Sequence, residues 1–257
     1  RLSESQPEAY RGAWTLWQDG ISSQLLKPQF HGREHLNVDL LELKLKRKDA
    51  ALMVNLSNRS MAGIGGDPSM PGVEFTHAFG LCEEGQIEGH RAVIESGLSL
   101  FGECFGFAST TFTPPAMQLH PNLYSVVESL GVRAIDKPLI CRRRLEKDRF
   151  RREFNTLGMR RGEDHVTVVR NVVFEPTNNP AFDSVQLAMR QIEAAFRWQK
   201  PAIVSSHRVN FCGHIDPENR SLGLRELKRL LDSIVQRWPD VRFVGADELV
   251  DRMVGAE

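Results

Sequence analysis

Apolar residues recur at intervals of three and four between 7 and 26, where Tyr10, Trp14, Trp17, Ile21 and Leu25 share one face. That spacing predicts an amphipathic helix that tolerates Gly12 and Gly20 at some cost. KPQFH, 27–31, reads as briefly extended, and a second helical pattern covers 36–55. SMAGIGGDPSMPG, 60–72, carries four glycines and two prolines, which makes it a loop and the foremost candidate for a mobile segment. GHRAVIESGLSLFGECFG, 89–106, sets Ala92, Ile94, Leu98 and Phe101 near one face and predicts a helix ending at Gly106. FASTTFTPP is a β-rich run stopped by Pro114 and Pro115, and HPNLYSVVESLG, 120–131, is a helix stopped by Gly131. VRAIDKP then reads as a short strand ending at a charged pair, and HVTVVRNVVFEP, 165–176, as an alternating strand. A helix over 183–200 has Asp183 as its N-cap, and PAIVSSH is an apolar strand with a polar end. The pattern closes with a helix over 222–239, a strand at VRFVGA and a helix at DELVDRM.

Helices of ten to eighteen residues thus alternate with short apolar strands. The fold class is α/β, with right-handed crossovers and a mostly parallel sheet, open or closed into a barrel. Such sheets carry their chemistry at the C-terminal ends of strands. Three of those ends are strongly polar: QFHGREH, TTFTPPAMQLH and VSSHRVNF. With no internal repeat and no linker, residues 1–257 read as a single domain.

Thirty-three basic residues balance thirty-three acidic ones, so no global field points to nucleic acid or to a membrane surface. No apolar run approaches the length of a membrane span, and no charged-then-apolar signal opens the chain. Cys82, Cys104, Cys141 and Cys212 are dispersed, without a C-x-x-C, and read as small buried apolar side chains in a reducing compartment. A cytoplasmic location is the expectation. The chain opens on Arg1 rather than Met, as a segment of a longer product would. The oligomeric state is not legible.

HGREH places His31 and His35 four apart, an interval at which two imidazoles on a helical turn after a strand can grip one ion. Paired surface or capping histidines are the alternative. Glu34 does not follow the first histidine directly, so the pattern is not the H-E-x-x-H of zinc peptidases. His207, at the end of PAIVSSH, stands where a catalytic histidine would, beside Arg208, which could bind a carboxylate or form a salt bridge. In FTPPAMQLHP, Pro114, Pro115 and His120 read either as a rigid turn with a capping histidine or as a pocket wall. CRRRLEKDRFRRE, 141–153, reads as a solvated, partly helical insertion, without the aromatic interleaving of a nucleic-acid platform. His77, His90, His165 and His214 have no local context that marks them as functional.

Taken in order, HGREH, FTPPAMQLHP, GVRAIDKP and PAIVSSHRVNF resemble the motifs of NodB-type polysaccharide deacetylases. PQFHGREHLNV, VRNVVFEP and AFRWQKPAIVSSHRVNF look more particularly like a bacterial group of polysaccharide deacetylase-like proteins, and the likeness spans roughly 14–252. The resemblance implies a distorted (β/α) barrel of the glycoside hydrolase/deacetylase type. It implies a zinc-dependent hydrolase that removes acetyl groups from the N-acetylated sugars of a polysaccharide. His31 and His35 would bind the metal, His207 would be the general acid, and Arg208, Pro114, Pro115 and His120 would meet the carbohydrate. The family's two strand-end aspartates, one a metal ligand and one the catalytic base, are missing, as are its usual arginine and aromatic at Thr113 and Ala116. Either the first barrel strands lie outside this sequence, or the lineage lost those aspartates. Nothing in the spacing selects Asp19, Asp39 or Asp136 as a substitute. A non-catalytic glycan-binding barrel and a glycoside hydrolase using Glu175 are the alternatives.

Overall fold

Parallel strands, each only two or three residues long, set the frame. The structure, a computed structural model, describes residues 11–80, 84–146, 149–160, 165–179 and 181–255, with side chains at all of these except 84 and 142–150. The chain forms two units, Arg1–Val168 with Val244–Glu257, and Val169–Phe243. Both mix helices with parallel strands, as the alternating pattern implied.

In the first unit β1 (Thr111–Phe112), β2 (Ala134–Asp136) and β5 (Val166–Val168) pair in parallel in the order β1-β2-β5. Phe30 adds a fourth passage through a parallel bridge to Phe112. Helices and loops cover the strands, so Phe112, Ala134, Ile135 and Val166 are all buried, and Thr111, Thr167 and Asp136 are buried beside them in the ladder. Before the sheet come α1 (Ala13–Ser22), α2 (Val38–Lys46), α3 (Ala50–Ser57) and α4 (Ile87–Phe105). Helix α4 turns His90, Ile94, Gly97 and Phe101 inward at helical spacing and ends at Gly106 with φ 78°, as its sequence predicts. Gly97 is what lets α4 close on the sheet, since a Cβ there would lie 2.8 Å from Phe30 Cζ. The core around it joins Phe30, Phe79, Ile94, Phe112, Val127 and Ile135. After β1, α5 (Tyr124–Ser129) follows a 3₁₀ turn, and the closing helix α8 (Ala246–Val254) sets Val250 against Ala134 and Val166.

Several elements differ from their expected form. The helix expected over 7–26 spans Ala13–Ser22; residues 7–10 lie outside the described residues. It stops because Gln24 turns left-handed (φ 59°) and the amides of Leu25 and Leu26 fold back onto Gly20 O. The helix expected over 36–55 is two, broken where Lys48 takes φ 53° and Asp49 caps the second by accepting from Leu52 N. The basic run 141–153 is not helical. It is an antiparallel hairpin of β3 (Ile140–Glu146) and β4 (Arg149–Phe154), and the period of two in Phe150, Arg152, Phe154 is the strand signal. Cys104 and Cys212 are exposed rather than buried, Cys141 is half-buried, and Cys82 lies outside the described residues.

The second unit is a βαβ arrangement: β6 (Val172–Val173), α6 (Ser184–Arg197) and β7 (Val204–Ser205), with β6 and β7 parallel, followed by α7 (Pro217–Arg237). Val172, Phe174, Val185, Ala188, Ile192, Leu230 and Ile234 form its core. Asp183 caps α6 by accepting from Gln186 N, as expected. The single strand expected over 165–176 is divided between β5 and β6, each laddered within its own unit. Helix α7 starts earlier than its apolar periodicity, because Asp216 caps it and Pro217 opens it. VRFVGA is not a strand, and Phe243, 61% exposed, has no ladder to join among the described residues. Among those residues no helix is long and apolar enough to cross a membrane.

Candidate functional site

In the first unit, the polar residues of interest sit where parallel strands end. His31 follows the Phe30 bridge, Thr113 follows β1, and Asp136 and Lys137 end β2. His31 Nδ1 lies 2.6 Å from the carbonyl oxygen of Thr113. A carbonyl only accepts, so Nδ1 carries the proton, and in the neutral ring Nε2 is the lone-pair nitrogen. The His35 ring centre lies 5.0 Å from that of His31, at an interplanar angle of 65°. Two imidazoles that share a tetrahedral zinc, with Zn–N roughly 2.0–2.1 Å, have centres about 5 Å apart. The spacing of the two ring centres matches that distance.

The pair does not stand on a helical turn. HGREH is irregular, and α2 begins only at Val38, where Asn37 accepts from Leu40 N while its amide donates to His77 O and Gly80 O. Gly32, at φ 106°, bends the chain so that the two rings meet, and a Cβ there would lie 3.0 Å from Glu34 O and 3.3 Å from the Pro115 ring. Arg33, between them, donates to Glu34 and to Ser96 Oγ, 2.7 Å away.

Catalytic zinc takes three protein ligands. Among the described residues no group of three or more His, Cys, Asp or Glu side chains gathers where it could hold an ion, so His31 and His35 are not joined by a third such ligand. Of the three aspartates considered, Asp19 lies on α1 and Asp39 on α2, bonded to Gln86. Asp136 is buried at the end of β2, with Oδ2 3.3 Å from Thr113 Oγ1. Thr113 thus anchors His31 through its carbonyl and reaches Asp136 through its hydroxyl.

The loop after Thr113 is tightly wound. Pro114 and Pro115 are both buried, so their rings stiffen the support of His31. Ala116 and Met117 follow with φ 53° and 54°, two successive left-handed residues of the kind that cost of order 1–3 kcal/mol each and cluster at functional sites. His120 Nδ1 accepts from Asn122 N at 3.3 Å, the capping role of its two readings. Next to it, burial pushes the His90 imidazole below its ordinary value, the His120 charge acts in the same direction, and the Asp39 charge opposes both. Lys137, buried at the end of β2, meets the Tyr124 hydroxyl and lies 3.9 Å from Glu153. Nothing but the charged pair closing VRAIDKP signals it in the sequence.

In the second unit, His207 follows β7 and Glu175 follows β6. His207 Nδ1 lies 2.7 Å from Glu175 Oε1, which also accepts from the His207 amide at 3.2 Å. Glu175 Oε2 accepts from Asn210 Nδ2 at 2.6 Å, and Asn210, wholly buried, also donates to His207 O and accepts from the amide and hydroxyl of Thr177. The His207 side chain is 74% exposed, that of Glu175 only 14%. A carboxylate on Nδ1 orients the ring and fixes its tautomer, with Nε2 as its second nitrogen. Arg208 is exposed on the 3₁₀ turn Arg208–Phe211 and forms no ion pair among the described residues.

The sequence alone did not pair Glu175 with His207, and it missed Asn210 and Gly223. A Cβ on Gly223, inside α7, would lie 1.8 Å from Asn210 O, so only glycine lets the helix support that turn. The glycine interrupting a strongly helical pattern is the available signal. His31, His35, Thr113 and Asp136 thus form one set in the first unit; His207, Glu175 and Asn210 form another in the second. No protein-family model and no curated protein matches this sequence.

Proposed function

We propose that the chain is a metal-dependent hydrolase that removes acetyl groups from the N-acetylated sugars of a polysaccharide. The observation that carries this reading is that both histidines are held at Nδ1, His31 by a carbonyl and His207 by a carboxylate, the kind of anchoring that orients a ligand or a proton donor. His31 and His35 are assigned the ion, with Zn²⁺ the ion that imidazole pairs suit. When bound, it supplies Lewis acidity that polarises the amide carbonyl. Water supplies the oxygen that bonds to the carbonyl carbon as the C–N bond breaks, giving acetate and the free amine; in the second unit His207 Nε2, its ring held by Glu175 and Asn210, is assigned the proton that the amine takes. Arg208, exposed beside His207, is assigned contact with the carbohydrate. The strands belong in this reading to a distorted (β/α) barrel, supported by parallel pairing of Phe30, β1, β2 and β5 in chain order.

The test is acetate release from a panel of N-acetylated oligosaccharides and polysaccharides with zinc supplied. The parent chain releases acetate, and His207→Ala does so about 10²–10⁴-fold more slowly, the usual contribution of a general acid. Glycan binding without acetate release from any of the panel would reject the hydrolase and favour a non-catalytic glycan-binding protein.

A further inference from the structure

We propose that His90 is an acid-sensitive latch at the start of α4, whatever reaction the chain performs. On protonation its ring leaves the aromatic core and takes Asp39 from Gln86, which frees the first turn of the helix. His90 is 8% exposed, and its Nδ1 has no hydrogen-bond partner among the described residues. The ring stands edge-on to Phe79, with centres 5.5 Å apart at 90°, and Phe79 meets Phe112 in the same manner at 5.7 Å and 89°. That setting suits a neutral imidazole. An imidazolium must donate from both nitrogens, and Nδ1 has no acceptor there. The first turn of α4 also carries the positive end of the helix dipole, which repels a cation.

The charged groups around His90 supply one alternative partner. Asp39 on α2 attracts the protonated ring, while His120, from the turn before α5, repels it. On α4 itself Glu88 and Arg91 pair with each other at 3.3 Å. The segment that carries Phe79 brings His77 and Glu74, and the Glu74 charge acts on His77. Asp39 accepts from the Gln86 side chain, and Gln86 is the N-cap residue of α4, with no side-chain bond to the helix itself. An imidazolium on that carboxylate adds the attraction of opposite charges, which an amide lacks. Protonation therefore moves Asp39 from Gln86 to His90. Phe112 runs directly into Thr113, whose carbonyl holds His31, so opening loosens the packing behind that anchor. Burial holds the closed ring below its ordinary 6.5, so the open state takes up the proton first as pH falls. Opening thus rises below about 6.5, by at most about tenfold per pH unit, and levels off once the closed ring is protonated too.

The test is amide hydrogen exchange on the full chain from about pH 7.5 to about pH 5, expressed as protection so that the intrinsic pH dependence of exchange is removed. Protection of the Arg91 and Ala92 amides, in the first turn of α4, falls at least about fivefold across that range, while α6 keeps its own. His90→Gln, which carries no charge, holds its protection throughout. Asp39→Asn keeps a partner for Gln86 but offers no charge to His90, and it loses at least about half of the response. That variant leaves the His90 ring in place, so it tests the exchange of partners even where His90→Gln melts early. His77→Gln retains the full response. Protection that ignores pH in the parent overturns the proposal, as does a response of full size in Asp39→Asn. A response lost in His77→Gln, or shared equally by α6, overturns it as well, in favour of His77 or of global acid unfolding.

Discussion

His31 and His207 are both exposed imidazoles just past a short parallel strand, and both are held at Nδ1. They differ in what holds them. His31 donates from Nδ1 to the neutral carbonyl of Thr113, so in the neutral ring Nε2 carries the lone pair. His207 faces Glu175, a carboxylate kept in place by buried Asn210. In the proposed function this difference in acceptor goes with assigning the ion to His31 and the proton to His207.

The largest effects come from removing one side of that contrast. His207→Ala lowers kcat for acetate release about 10²–10⁴-fold with zinc content unchanged. His31→Ala/His35→Ala reverses the pattern, so metal analysis finds the zinc gone while the His207 site still folds. Glu175→Gln keeps a partner for the ring but removes the charge, and it lowers kcat by at least about tenfold with KM little changed. An equal loss of zinc in the His207 and His31/His35 variants would erase the distinction.

Supports come next. Gly223→Ala drives a methyl into Asn210 O and destabilises the second unit by about 3 kcal/mol or more, read by urea unfolding. Gly32→Ala costs about 1–3 kcal/mol because φ is 106°, and it weakens zinc binding by parting the two rings. If Gly32→Ala binds zinc as tightly as the parent, the loop geometry does not set the ligand pair.

The smallest effect is on stability against pH. Burial holds His90 below its ordinary 6.5 in the folded chain, so between that lowered value and 6.5 the unfolded chain binds more protons. Stability therefore rises with pH through this window and is lost as pH falls below 6.5. His77, also pushed down by burial, acts in the same sense. His90→Leu flattens the dependence in denaturant melts at several pH values.

Much of this was legible in the chain. Gly106 marked the end of α4 and Asp183 the start of α6, because a left-handed cap and a side-chain N-cap are local chemistry. What escaped depends on distant partners. The break at Lys48 is decided by a cap that follows it, and a continuous apolar pattern conceals it. VRFVGA alternates like a strand, but alternation forms no ladder without a neighbour. The basic hairpin was obscured by arginines, which suit helices and strands alike. HGREH suggested a helical turn for its two histidines, whereas the segment is irregular and Gly32, at φ 106°, bends the chain between rings whose centres lie 5.0 Å apart. Glu175 and His207 lie thirty-two residues apart, and only the parallel pairing of β6 with β7 brings them together.

Zinc-dependent acetate release from an N-acetylated polysaccharide tests the central claim most directly, measured on the metal-stripped chain as zinc is added back. The account predicts that activity rises to a plateau near one zinc per chain, stays absent in His31→Ala/His35→Ala at any zinc level, and is severely reduced in His207→Ala that still binds zinc. Acetate release that ignores zinc, or that proceeds at the parental rate in His207→Ala, would contradict it.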